Sequence, residues 1–136
     1  MSSPANAPLF EVRGHALVRM LYGSCWTLNI SAEPAGIGAA VLIRALQPTE
    51  GLVLMRGHSP AMRPADLTRG PGRLCASLSI GRELSGIDLC GDGPLWLERG
   101  GAPAVIQVST RIGLSRDQHR RLRFVERGSR FVSVPP

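Results

Sequence analysis

The apolar positions of this chain come in short bursts. Residues 16–22 and 26–30 are apolar runs of strand length, parted by the turn-forming pair Gly23-Ser24, and the pattern predicts two neighbouring strands. Residues 31–38 carry Pro34, Gly36 and Gly38 and read as a loop. A β-favouring apolar run resumes over residues 39–46 with one charge, Arg44, set inside it, and Pro48 ends it. Residues 50–56 fit a short helix, and residues 58–69, with Pro60 and Pro64, an irregular surface segment. Gly70-Pro71 then opens a second helix with proline in its first turn, and Leu74, Cys75 and Leu78 share one face. Residues 81–94 form a glycine-rich connection holding Asp88 and Asp92, followed by a short apolar piece at 95–97. Strands are expected at 105–108, 123–125 and 131–134.

Short strands with two helices imply an α+β domain built on a curved, mainly antiparallel and open barrel-like sheet. A length of 136 residues with 43% hydrophobic content suits one core and is short for two, and there is no internal repeat or linker. The expected organisation is an N-terminal segment, residues 1–13, small and proline-containing and without fixed structure, ahead of a single domain spanning 14–136.

Composition narrows the chemistry. No stretch of 18 apolar residues occurs, and residues 1–7 have neither a positive start nor an apolar core, so no membrane partner and a cytoplasmic location are expected, at the nucleoid in a bacterium. Cys25, Cys75 and Cys90 are odd in number, widely spaced and set in apolar surroundings, which suits buried reduced thiols better than a disulfide framework. They and His15, His58 and His119 are too scattered for a metal site, and no metal or cofactor is expected. All 16 basic residues are Arg, the side chain whose planar fork best grips phosphate. Residues 1–60 hold four Arg against three acids, residues 61–100 five against five, and residues 101–136 seven against two. The net charge of +6 therefore sits almost wholly at the C-terminal end, which fits either a nucleic-acid partner or a solvated basic surface.

The residues also resemble a known family. Gly14-His15-Ala16 through Tyr22-Gly23 to Leu28-Asn29-Ile30 is similar to the hydrophobic hairpin of the alkyladenine (3-methyladenine) DNA glycosylases. The run from Val41 through Arg44 to Pro48, then Glu50-Gly51-Leu52, resembles that family's next strand and turn. Gly70-Pro71-Gly72-Arg73-Leu74-Cys75, Leu95-Trp96-Leu97-Glu98, Arg111-Ile112-Gly113 and Leu122-Arg123-Phe124 through Val132-Ser133 follow in the family's order. The likeness covers about residues 14–134.

The resemblance implies a DNA-repair hydrolase that flips a damaged purine out of duplex DNA and cleaves its N-glycosidic bond, since that bond cannot be reached inside the stack. It implies that Tyr22, with Gly23 beside it, wedges into the minor groove, that Asn29 reads the base edge in the pocket, and that Arg44 and the Ile112 carbonyl hold the nucleophilic water. Leu17 and Arg19 stand where the family places aromatics, one of which stacks on the flipped base. The family's catalytic carboxylate lies upstream of the hairpin; here 13 residues precede Gly14, Glu11 is the one acid among them, and the family's N-terminal part is expected to be absent.

Read without the family, Tyr22 is a strand-end residue and Asn29 a turn former, while Arg44, a costly charge inside an apolar strand, still points to function, with a structural ion pair as its alternative. The chain has no Lys to form a Schiff base, so excision would leave an abasic site without cutting the strand. Two readings follow from the resemblance: a monofunctional glycosylase for alkylated or deaminated purines, and an inactive, truncated DNA-binding remnant. A third, an unrelated basic β-rich module, stands outside it. Loss of an upstream wall would expose a sheet edge, and self-association through that edge is expected.

Overall fold

Strands β1 (Ala16–Leu21) and β2 (Cys25–Ser31) form where the two apolar runs predict them, paired antiparallel so that Val18 faces Leu28 and Leu17 faces Asn29. In the computed structural model, which describes residues 3–59, 63–102 and 105–136, β3 (Ala40–Leu42) adds to the far side of β2. Side chains alternate across a strand, so one face of this sheet carries Ala16, Val18 and Leu28 and the other Leu17, Thr27, Asn29 and Leu42. The first face is the core: it packs with Leu74, Cys75, Ile80 and Leu89, and with Trp26, Ile30 and Ile43 partly buried around them.

Helix α1 (Leu52–His58) starts two residues later than the pattern predicts, while α2 (Pro71–Ser77) opens at the proline as expected. On α2, Leu74 and Cys75 are fully buried against β2 and Leu78 packs beside them. Of the three thiols expected to be buried only Cys75 is, and burial raises it to about 11, keeping it protonated, whereas Cys25 is half-buried and Cys90, in the glycine-rich connection, is exposed. Ser77 joins the buried side by donating Oγ–H to the Leu67 carbonyl at 2.6 Å.

The outer edge of β1 is satisfied by the glycine-rich connection rather than by a strand. Ala16 N–H donates to Ile87, Gly86 N–H to Ala16 at 2.7 Å, and Val18 N–H to Ser85 Oγ at 3.1 Å. Strands β4 (Ile106–Ser109) and β5 (Arg123–Glu126) form a separate antiparallel ribbon. The antiparallel α+β class therefore stands, but the strands lie in two sheets of three and two, and no closed barrel forms among the described residues.

Four local expectations are corrected. The run over 39–46 gives only three residues of β3, because after Ile43 N–H reaches Leu28 the chain turns from β2 to bridge Ala45 with Arg69 and to exchange bonds between Leu46 and Thr68. Residues 63–69 are consequently not all surface: Leu67 and Thr68 are buried, while residues 60–62 lie outside the described residues. Residues 131–134 form no strand, since their carbonyls are taken by arginine side chains: Arg69 Nε donates to Val132 and Arg123 Nη2 to Val134. Ahead of Gly14, a 3-10 turn spans Ala7–Phe10, and Gly36 N–H donates to Phe10 at 2.8 Å.

Leu74 sits at the centre of the α2–sheet contact, and Leu74→Ala should lower the free energy of unfolding by about 3 kcal/mol, the usual cost of emptying such a site. Urea denaturation checks this; a change below about 1 kcal/mol would mean that α2 is not the main core support.

Candidate nucleic-acid and base-recognition site

The hairpin places its chemistry at two levels. At the tip, Tyr22 and Gly23 have φ of 51° and 68°, both left-handed, and Ser24 N–H closes the turn on the Leu21 carbonyl at 3.1 Å. Two successive positive φ values belong to the tight turn that matches strand twist, and glycine meets that demand freely while tyrosine does not. Nothing folds back over the ring: Tyr22 is 87% exposed, and Met20 and Leu21 beside it are also exposed. An apolar tip with a strained aromatic at its apex is costly in water, and strain of this kind concentrates at functional positions.

Roughly 16 Å back along the strands, from the usual rise per residue, lies the row that holds Asn29. Asn29 is half-buried between Leu17 and Leu42, and its Nδ2 donates to the Leu17 carbonyl at 3.3 Å. That bond fixes the amide plane while Oδ1 accepts nothing from a described residue. Arg19 lies on the same face one step nearer the tip, opposite Thr27, whose Oγ1 donates to the Arg19 carbonyl at 3.1 Å. The Arg19 side chain is exposed, so it stands at the mouth of this row.

Arg44 follows β3 by two residues and is half-buried. Burial first, and then the neighbouring Arg123 guanidinium, lower its pKa from the ordinary value. The segment carrying Ile112 reaches it, for a Cβ on Gly113 would lie 3.9 Å from Arg44 Nη2. The structure thus brings the segment of Ile112 against Arg44, which follows β3 past Leu42, the partner of Asn29, in the direction of the hairpin tip that carries Tyr22 and Gly23. The ion-pair alternative for Arg44 is not met: both ion pairs among the described residues use Asp66, with Arg69 and with Arg73. Arg123 escaped the sequence reading as a site residue, although it carries the same signal as Arg44, a charge inside an apolar run.

Two depressions open elsewhere, around Trp96. One of about 600 Å³ is lined by Cys90, Asp92 and Glu98 among others, and one of about 480 Å³ by Leu46, Glu50, Met55 and Thr68. Neither is lined by Asn29, Arg44 or Tyr22. Among the described residues, no group of three His, Cys, Asp or Glu is placed to hold a metal, and no helix is long and apolar enough to cross a membrane.

Comparison with known proteins meets this geometry. The family model described as methylpurine-DNA glycosylase matches residues 1–130. A provisionally named 3-methyladenine DNA glycosylase of Mesorhizobium japonicum is 52% identical over 134 residues, covering 98% of this chain and 64% of its own length. One of Paraburkholderia phytofirmans, also provisionally named, is 47% identical, covering 97% and 62%. The mouse DNA-3-methyladenine glycosylase is 36% identical over 148 residues, covering 97% of this chain and 44% of its own. The chain belongs to the methylpurine-DNA glycosylase family. It spans slightly less than two thirds of the first two of these relatives.

If the tip is strained, Tyr22→Gly should stabilise the fold by about 1 kcal/mol, because a left-handed L-residue costs about that much and the ring buries nothing. Thermal melting reads the shift; destabilisation would show that the tyrosine ring supports the fold.

Proposed function

We propose that this chain serves DNA base-excision repair, hydrolysing the N-glycosidic bond of alkylated or deaminated purines after flipping the nucleotide. The observation that carries the reading is the exposed, left-handed Tyr22 at the apex of an apolar hairpin. Such a tip can enter the minor groove and fill the gap left by an extruded base, offsetting the lost stacking. The Asn29 row lies on a face of the same hairpin, so one rigid element couples wedge and pocket, and an amide can distinguish purine edges by donating and accepting. Arg44 and the Ile112 carbonyl would hold the attacking water, and Arg19 would close over the base from the strand edge. The partner is duplex DNA containing a damaged purine, drawn in by the basic C-terminal end. Without Lys, the product is an abasic site in an uncut strand.

One observation favours a second reading. Hydrolysis needs a carboxylate to activate water, and no acidic residue pairs with Arg44 or Arg123 among the described residues, which include all ten acids. In the second reading the chain binds lesion DNA through the same hairpin without hydrolysing it.

Single-turnover release of hypoxanthine or 3-methyladenine from a lesion-bearing duplex separates the two. The hydrolase reading predicts release that falls at least about a hundredfold in Arg44→Ala, the scale of losing one stabilising group in such a site. No release, beside salt-sensitive duplex binding that Tyr22→Ala weakens, establishes the second reading. Neither release nor Tyr22-dependent binding overturns both.

A further inference from the structure

The ribbon of β4 and β5, a sheet of two strands among the described residues, has one covered face and one open face. Val108 pairs with Phe124 and Ile106 with Glu126, so these four share a side, and alternation puts Leu122 in line with them. The other side carries Ser109, Arg123 and Val125; there Arg123 is buried and the other two are half-buried. The open side holds the larger apolar groups: Phe124 is 64% exposed, and Ile106 and Leu122 are exposed with it. A one-sided sheet ordinarily turns such residues inward, and an aromatic ring left in water between apolar neighbours marks a contact surface.

Charge decides what meets it. Arg116, Arg120, Arg121, Arg127 and Arg130 are all exposed, and none of them enters an ion pair among the described residues. The same stretch holds only two acids, Asp117 and Glu126. A surface so basic repels a second copy of itself and attracts a polyanion. Arg121 is the guanidinium that the fold fixes beside the ring: its Nη2 donates to the carbonyl of Val108, the partner of Phe124, at 2.9 Å. That bond positions the group at the ribbon edge and leaves its other donors for an anion. Glu126 stands at the opposite end of the open face, so the anion belongs at the Leu122 end.

We propose that the open face of the β4–β5 ribbon is a second nucleic-acid site, which takes an unpaired stretch of DNA strand with a base on Phe124 and the adjoining phosphate on Arg121. An aromatic ring beside a fixed cation suits a single strand, whose base offers a free π-face and whose backbone follows the charge. In a duplex both faces of each base are already stacked, and a ring on a broad sheet face, unlike one at a hairpin apex, reaches none of them. DNA is the polymer named by the family. The site uses neither the Tyr22 wedge nor the Asn29 row, so it stands or falls apart from the base-excision reading.

The test uses the whole chain and a lesion-free single-stranded oligodeoxynucleotide that carries 5-iodouracil, a base that photocrosslinks to an aromatic ring stacked on it. Saturable binding by fluorescence anisotropy is expected, with the crosslink mapped by mass spectrometry to Phe124. Phe124→Ala should weaken binding at least about tenfold, the scale of losing one stacked base, and Phe124→Tyr should keep most of it. Arg121→Gln should flatten the log–log dependence on salt by about 0.7, the share of one phosphate on a single strand. Should Phe124→Ala fail to fold, the crosslink in the unchanged chain and the ring-keeping Phe124→Tyr still decide the matter. No binding of the single strand, or a crosslink that falls on Tyr22 or Trp96 instead, overturns the site. Equal competition by a lesion-free duplex overturns the preference for an unpaired strand, and tighter binding of the matching ribo-oligonucleotide overturns the assignment to DNA. A dimer seen by sedimentation and lost in Phe124→Ala, with single-strand binding unchanged, would give the face to a second copy and overturn the proposal.

Discussion

In the pairing of β1 with β2, Val18 faces Leu28 across the ladder and Leu17 faces Asn29, and one register sets both. A slip of one residue would turn Ala16, Val18 and Leu28 out of the core and Arg19 into it, so burial fixes the register firmly. The turn at Tyr22 and Gly23 and the bonds from Gly86 and Ile87 to Ala16 agree with that choice from the two ends. Because side chains alternate, the register that fills the core also lines up Leu17, Asn29 and Leu42 on the opposite face and carries Tyr22 to the apex. Core and candidate site are two faces of the same ladder.

Charge is distributed by a second rule. Among the described residues both ion pairs use Asp66, which serves Arg69 and Arg73. Arginine instead works on the backbone: Arg69 and Arg123 hold the Val132 and Val134 carbonyls, replacing the strand pairing that the apolar pattern of residues 131–134 suggests. A guanidinium used in this way satisfies buried carbonyls, and of the two only Arg69 also has an ion-pair partner among the described residues, Asp66.

The parts of this molecule legible in the sequence are those decided locally. The hairpin follows from two apolar runs around Gly23-Ser24, and α2 from Pro71 with Leu74 and Cys75 on one face. What escaped depends on long-range contacts. The switch of Ala45 and Leu46 from β2 to Thr68 and Arg69, the burial of Leu67, and the cover that Gly86 and Ile87 give β1 join residues far apart in sequence that no periodicity connects. The site shows the same division. Tyr22, Asn29 and Arg44 were named from motif order, and Arg44 also from its place in an apolar run. Arg123 lies within one of those motifs, yet its role as the anchor of Ser109 and Val134 joins residues distant in sequence.

The central claim is that the hairpin tip extrudes a base from duplex DNA. The direct measurement is the fluorescence of 2-aminopurine placed beside a lesion in a duplex as the chain is added. Extrusion unstacks the probe, so a rise in fluorescence that saturates with binding and is lost in Tyr22→Ala is the predicted result. Saturable binding with unchanged fluorescence would contradict the account, since the chain would then hold DNA without opening it.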